Sequence, residues 1–117
     1  MDKARKKELL SQYKNRHPDM GIVCWRCGDE MWVAQSRDAK ADYNGTSFQL
    51  NLGSWPNREM QTLYRERPED FHWSLAKALD YKDYADDHTD DLQLLLLEFL
   101  DEHPDAKPMR PGRWKKS

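Results

Sequence analysis

The sequence predicts one small α/β (α+β) domain, and three observations carry that reading. Residues 20–35 hold two β-favouring runs around a Gly28-Asp29 turn. Phe71, Trp73 and Leu75 alternate with His72, Ser74 and Ala76, as along a strand with one covered face. Leu92, Leu95, Leu96, Phe99 and Leu100 recur at helical spacing and share one helix face. A chain of 117 residues is long enough for one hydrophobic core and short for two.

Residues 2–16 read as a helix, with Leu9, Leu10 and Tyr13 as its apolar stripe and charge elsewhere. His17-Pro18 ends it, because the residue before proline is pushed out of the α region. In the hairpin, Ile22, Val23, Trp25, Trp32 and Val33 supply the strand-forming side chains. Ser36 is a candidate N-cap for a helix from Arg37 to Tyr43, and Asn44-Gly45 is a turn signal. Phe48, Leu50 and Leu52 alternate with Gln49 and Asn51, so local pattern gives a strand over 47–52, closed by Gly53-Ser54. A helix follows from Pro56 to Arg67, with proline in its first turn and Met60, Leu63 and Tyr64 inward. Thr89 is a candidate N-cap for the last helix, where Asp90 and Asp91 suit the dipole. Leu94 and Leu97 widen its apolar face, which predicts a well-buried helix. The chain therefore divides into a basic N-terminal helix (1–19), a folded domain (20–105) and a basic tail (106–117).

Composition narrows the function classes. Charged residues make up 34% against 38% apolar, yet the apolar residues are periodic, which predicts folding and not disorder. No run approaches the ~20 apolar residues of a membrane span, and no signal-peptide core precedes the domain. A cytoplasmic protein without a membrane partner is the expectation. The net charge of -2 conceals basic ends: Lys3, Arg5, Lys6, Lys7, Lys14 and Arg16 at one, Lys107, Arg110, Arg113, Lys115 and Lys116 at the other. Such ends gain affinity for phosphate by releasing counterions, so DNA or RNA is a candidate partner through Lys6, Lys7, Arg37, Lys40 and Arg58. The bland alternative is that they solubilise the chain or face its acidic stretch, Asp83 to Asp105.

Several clusters invite chemistry and do not sustain it. Cys24 and Cys27 form a C-x-x-C, but zinc needs about four ligands and no second pair exists. On a strand, residues three apart face opposite ways, so the thiols diverge. Asp86 to Asp91 includes His88 but lacks the spacing of a calcium loop, and capping explains the same residues. His17, His72 and His103 stand beside no nucleophile. Trp25, Trp32, Trp55 and Trp73 could stack on bases, or build an aromatic core. Trp55 differs from the others in lying in an apparent loop. No metal site and no cofactor is predicted from these residues.

Gly21-Ile22-Val23 and Trp32-Val33-Ala34 resemble the two tripeptides that name the GIY-YIG nuclease family. The resemblance continues through Ser36 to Lys40, through Phe48, Leu50 and Gly53, through Pro56 to Gln61, and over Phe71 to Leu79. It implies a three-stranded antiparallel sheet flanked by helices, and a helix over 47–52 against the local strand pattern. Such an enzyme hydrolyses phosphodiesters with tyrosine hydroxyls, a phosphate-stabilising arginine and a glutamate that holds one divalent metal. Here the two tyrosine positions fall on Val23 and Trp32, and the arginine position on Asp42. The glutamate position falls on Leu95 or Leu96, with Glu98 as the nearest carboxylate, and a histidine position falls near Thr46. The resemblance thus implies a nuclease-like domain with no intact catalytic residue. It would act as a binding module for a protein or a nucleic acid, and would need magnesium only if residual activity existed.

Overall fold

The computed structural model describes residues 17–110. The predicted helix over 2–16, Lys6 and Lys7 lie outside the described residues. Strands β1 (Gly21–Cys27) and β2 (Glu30–Ser36) form the hairpin, and helices α1 (Ala39–Leu52) and α2 (Arg58–Glu66) follow. Strand β3 (Phe71–Ala78), helix α3 (Thr89–Glu102) and a short strand β4 (Lys107–Pro108) complete the order. The sheet runs β3-β1-β2-β4. Strand β1 is antiparallel to both neighbours, and β4 is parallel to β2. The expected three antiparallel strands are all present. The fourth, parallel strand lies in residues that the sequence assigns to a solvated tail, because two residues carry no periodicity to read.

Alternation along β1 sends side chains to two separate cores. Val23, Trp25 and Cys27 join Trp32, Ala39, Leu50, Trp55, Met60 and Met109 under α1 and α2. Ile22 and Cys24 join Val33, Leu96 and Phe99 under α3. The two thiols are therefore buried on opposite faces, as their strand spacing predicts. A third cluster of Met20, Tyr81 and Leu92 closes the end of the sheet where β1 begins.

Residues 47–52 are helical, against the local strand pattern and with the family resemblance. The Asp38 side chain accepts from the Ala41 N–H at 3.1 Å to start α1. Gly53, at φ 80°, closes it through bonds to the Gln49 and Leu50 carbonyls. On a helix the alternating residues separate: Leu50 is buried, while Phe48 and Leu52 are each 65% exposed. Ser36 is the last residue of β2 and not a cap, and Asn44-Gly45 is helix interior and not a turn.

Two further helix starts differ from expectation. Asn57, and not Pro56, leads into α2, accepting from the Met60 N–H at 3.1 Å. Thr89 is the first residue of α3, and its N–H is held by the Asp87 carboxylate at 2.9 Å. The Thr89 hydroxyl and N–H hold the Asp87 carboxyl below its ordinary range. Leu94 and Leu97 do not widen the buried face of α3; they are exposed.

Gly21 sits where β1 meets an irregularity in the β1–β3 ladder between Ile22 and Val23. A Cβ at Gly21 would lie 1.9 Å from the Lys77 carbonyl oxygen, which is backbone and cannot swing aside. Gly21→Ala should therefore cost roughly 2–4 kcal/mol by forcing the strands apart. Urea unfolding checks it, and a midpoint equal to wild type would contradict this packing.

Candidate functional site

The tripeptide segments lie side by side in the hairpin, with Val23 opposite Ala34 and Cys24 opposite Val33. Val23 and Trp32 share the face covered by α1 and α2, and both are sealed, at 1% and 0% exposed. Their surroundings are apolar. Among the described residues the indole N–H of Trp32 has no hydrogen-bond partner, nor have those of Trp25, Trp55 and Trp73. Trp32 instead stacks on Phe71 at 5.8 Å, and Trp25 on Tyr43 at 5.5 Å. Three of the four tryptophans weighed as a stacking platform, Trp25, Trp32 and Trp55, are thus buried core. Trp55, in its loop, is held by its main-chain N–H donating to the Gln61 Oε1 at 2.9 Å.

Asp42 lies in the first turn of α1 and accepts from the buried Ser36 hydroxyl, so it fastens the β2–α1 junction. Leu95 packs with Ile22, Cys24 and Val33 on the far face of the sheet, as does Leu96. The sheet therefore stands between Leu95 and the pair Val23 and Trp32. Glu98, the nearest carboxylate, is exposed and lies 3.9 Å from the Lys77 ammonium. Thr46 is buried within α1.

A shallow cavity of about 470 Å³ opens beside Trp32, lined by Pro56, Asn57, Arg58, Glu59, Lys107 and Pro108. The Lys107 ammonium lies 5.5 Å from the Trp32 ring centre, bonded to Glu30 and, at 2.6 Å, to Glu59. Met109 is buried and donates its N–H to the Val33 carbonyl at 3.1 Å, while Arg110 covers the Trp55 ring at 5.0 Å. Sequence reasoning missed this closure. The only hint was that Pro108 and Met109 interrupt the charge of the tail.

A divalent ion does not fit this donor set. Leu95 and Leu96, where the resemblance puts a glutamate, pack in an apolar core, and Glu30 and Glu59 beside Trp32 converge on the Lys107 ammonium. Among the described residues no three His, Cys, Asp or Glu side chains are placed to hold a metal.

The chain is similar in structure to the catalytic domain of homing endonuclease I-TevI, with a TM-score of 0.61 and 13% identity. That match covers 76% of this chain and 96% of that one. A point mutant of the catalytic domain of the same intron endonuclease gives a TM-score of 0.62 at 12% identity, over 83% and 99%. The fold is GIY-YIG-like. At this identity the likeness is one of fold. No protein-family profile and no curated protein matches the chain.

On this GIY-YIG-like fold the cationic candidates are scattered. Arg37 donates to the main-chain carbonyls of Tyr84 and Asp86 and lies 4.8 Å from the Tyr84 ring centre, so it ties the 80–88 loop to α1. Lys40 is exposed near the start of α1. Arg58 lies at the start of α2, beside the Trp32 cavity.

The hydrogen bonds that the Lys107 ammonium donates to Glu30 and then to Glu59 raise its pKa above the ordinary value of about 10.5. The stabilisation is therefore complete below that ordinary value and is lost as pH rises through the higher folded one. Lys107→Met should lower Tm by a few degrees at neutral pH, as for an exposed ion pair of about 1 kcal/mol. The gap to wild type should begin to narrow above about pH 10.5 and close once pH passes the higher folded value. A gap that persists there would assign the effect to packing on Trp32.

Proposed function

We propose that this chain is a GIY-YIG-like domain without phosphodiesterase chemistry, acting as a binding module. The observation that carries this is the sealing of Val23 and Trp32 in hydrophobic core, at 1% and 0% exposed. The resemblance puts hydroxyls at these two positions to activate water and shape the site. Neither side chain present can transfer that proton, and neither reaches solvent. Asp42 adds a negative charge where phosphate needs a positive one, and Leu95 lies across the sheet. Loss of one such group typically costs ~10²–10³ in rate, and here all are changed. Among the described residues no helix is long and apolar enough to cross a membrane, and cytoplasmic residence is part of the same reading.

Purified protein incubated with labelled duplex and single-stranded DNA, plus magnesium or manganese, should give no cleavage above the chelated control. Cleavage that co-elutes with the protein and requires the metal would overturn the proposal.

A specific observation favours nucleic acid as the bound partner. A second shallow cavity, beside Trp55, is lined by Arg58 and Arg65 with Ser54 and Thr62, and no carboxylate lines it. The two similar solved structures are of an endonuclease catalytic domain. Fluorescence anisotropy over a salt series should show affinity falling with ionic strength. Arg58→Gln should flatten the log–log slope by roughly 0.7–0.9, one phosphate contact. Absence of binding at low salt would leave a protein partner as the reading.

A further inference from the structure

We infer that the Trp55 cavity is a phosphomonoester site, which holds the phosphorylated end of a nucleic-acid strand between Arg58 and Arg65. This rests on the nucleic-acid reading above and narrows it from the strand to its end. The cavity, of about 360 Å³, has two walls. One is the loop from Gly53 to Pro56, and the other is a stripe of α2. Arg58, Thr62 and Arg65 stand at i, i+4 and i+7, so they share one side of that helix. Met60 and Leu63, which pack into the core, take another side.

The frame of the cavity is fixed. Gln61 is buried; it accepts the Trp55 main-chain N–H at 2.9 Å and donates to the Leu50 carbonyl at 3.0 Å. The loop is thereby clamped to α2, so little has to be ordered when a ligand enters. Gly53 shapes the cradle. A Cβ on it would lie 3.1 Å from a terminal nitrogen of Arg65, so the bare main chain lets that guanidinium lie along the loop. Ser54 and Thr62 add hydroxyls to the lining.

The charge of the cavity is uncompensated. Lys77 lies against Glu98 and Glu102, Lys107 against Glu30 and Glu59, and Arg67 against Asp70. Arg58 and Arg65 are exposed and have neither a hydrogen bond nor an ion pair among the described residues. Arg110 brings a third guanidinium over the Trp55 ring, at 5.0 Å, and has no ion pair there either. The chain holds 21 acidic against 19 basic side chains, so this cluster is not the overflow of a basic surface. Like charges gathered around one indole repel until an anion joins them.

Charge also selects among phosphates. Guanidinium groups meet phosphate oxygens through paired N–H donors. A phosphomonoester carries about −1.5 to −2 near pH 7 and offers three terminal oxygens. An internal phosphodiester carries a single charge. A strand end therefore brings more charge to the three guanidiniums than any linkage within the strand.

Fluorescence anisotropy of the full chain tests this with a short, internally labelled single strand carrying a 5′-phosphate, a 3′-phosphate or neither. A phosphorylated end should tighten binding about tenfold. The preference should grow as pH rises through about 6, where the phosphomonoester takes its second charge. No Asp, Glu or His lines the cavity, so that dependence belongs to the ligand. Arg65→Gln should remove the preference, and Lys82→Gln, exposed on the loop before α3, should keep it. Equal binding of all three strands overturns the inference and leaves the nucleic-acid reading standing, whereas binding of none at low salt overturns both. A preference that survives Arg58→Gln and Arg65→Gln together overturns the placement in this cavity. A phosphoserine peptide that displaces the strand at the strand's own concentration overturns the assignment to a strand end.

Discussion

The packing of β1 against helices on both of its faces is the constraint from which the rest of the molecule follows. A strand covered on both sides cannot alternate apolar with polar, and six of the seven residues of Gly21–Cys27 are buried. Its odd-numbered side chains require α1 and α2 above, and its even-numbered ones require α3 below. Strands β2 and β3 each bond to one of its edges, so the register of β1 is shared by the whole sheet. Gly21 lets β3 approach where a side chain would prevent it.

The same constraint sets what this face of the sheet can present to water. A position on the α1–α2 face of β1 or β2 can present a polar group only if the covering layer leaves a way to water. Here Trp32 fills that space with Phe71 and Lys107 against it, and the C-terminal segment adds Met109 to the layer. The unpartnered indole N–H groups lie in this layer. The face of the sheet under α1 and α2 is thus hydrophobic core, closed at one margin by an ammonium held between two carboxylates.

Charge is arranged around that core and not within it. Lys77 lies on the α3 side and bonds Glu102 at 2.5 Å, which raises the lysine and lowers the carboxyl. Arg37 pins the acidic loop before α3. The Arg37 contacts engage one cation that a sequence reading assigns to nucleic acid. Arg58 and Arg65 line the Trp55 cavity and have no carboxylate along it.

The sequence by itself determined the elements whose signal is local. The hairpin, the alternation of β3 and the leucine face of α3 are set by side-chain period and turn residues, which neighbours in the chain supply. It also determined that the two cysteines diverge, since that follows from strand geometry alone. Tertiary structure decided what depends on distant partners. Phe48, Leu50 and Leu52 alternate like a strand, but the Asp38 cap, the Gly53 stop and the burial of Leu50 against the β1 face make a helix, because a cap and a core contact outweigh weak local propensity. The joining of Lys107 to Glu30 and Glu59 spans 77 and 48 residues, a separation no local pattern encodes. The separation of Leu95 from Val23 and Trp32 by the sheet became visible only once the faces were assembled. Catalytic residues can be matched one at a time along a chain, but convergence is a property of the fold.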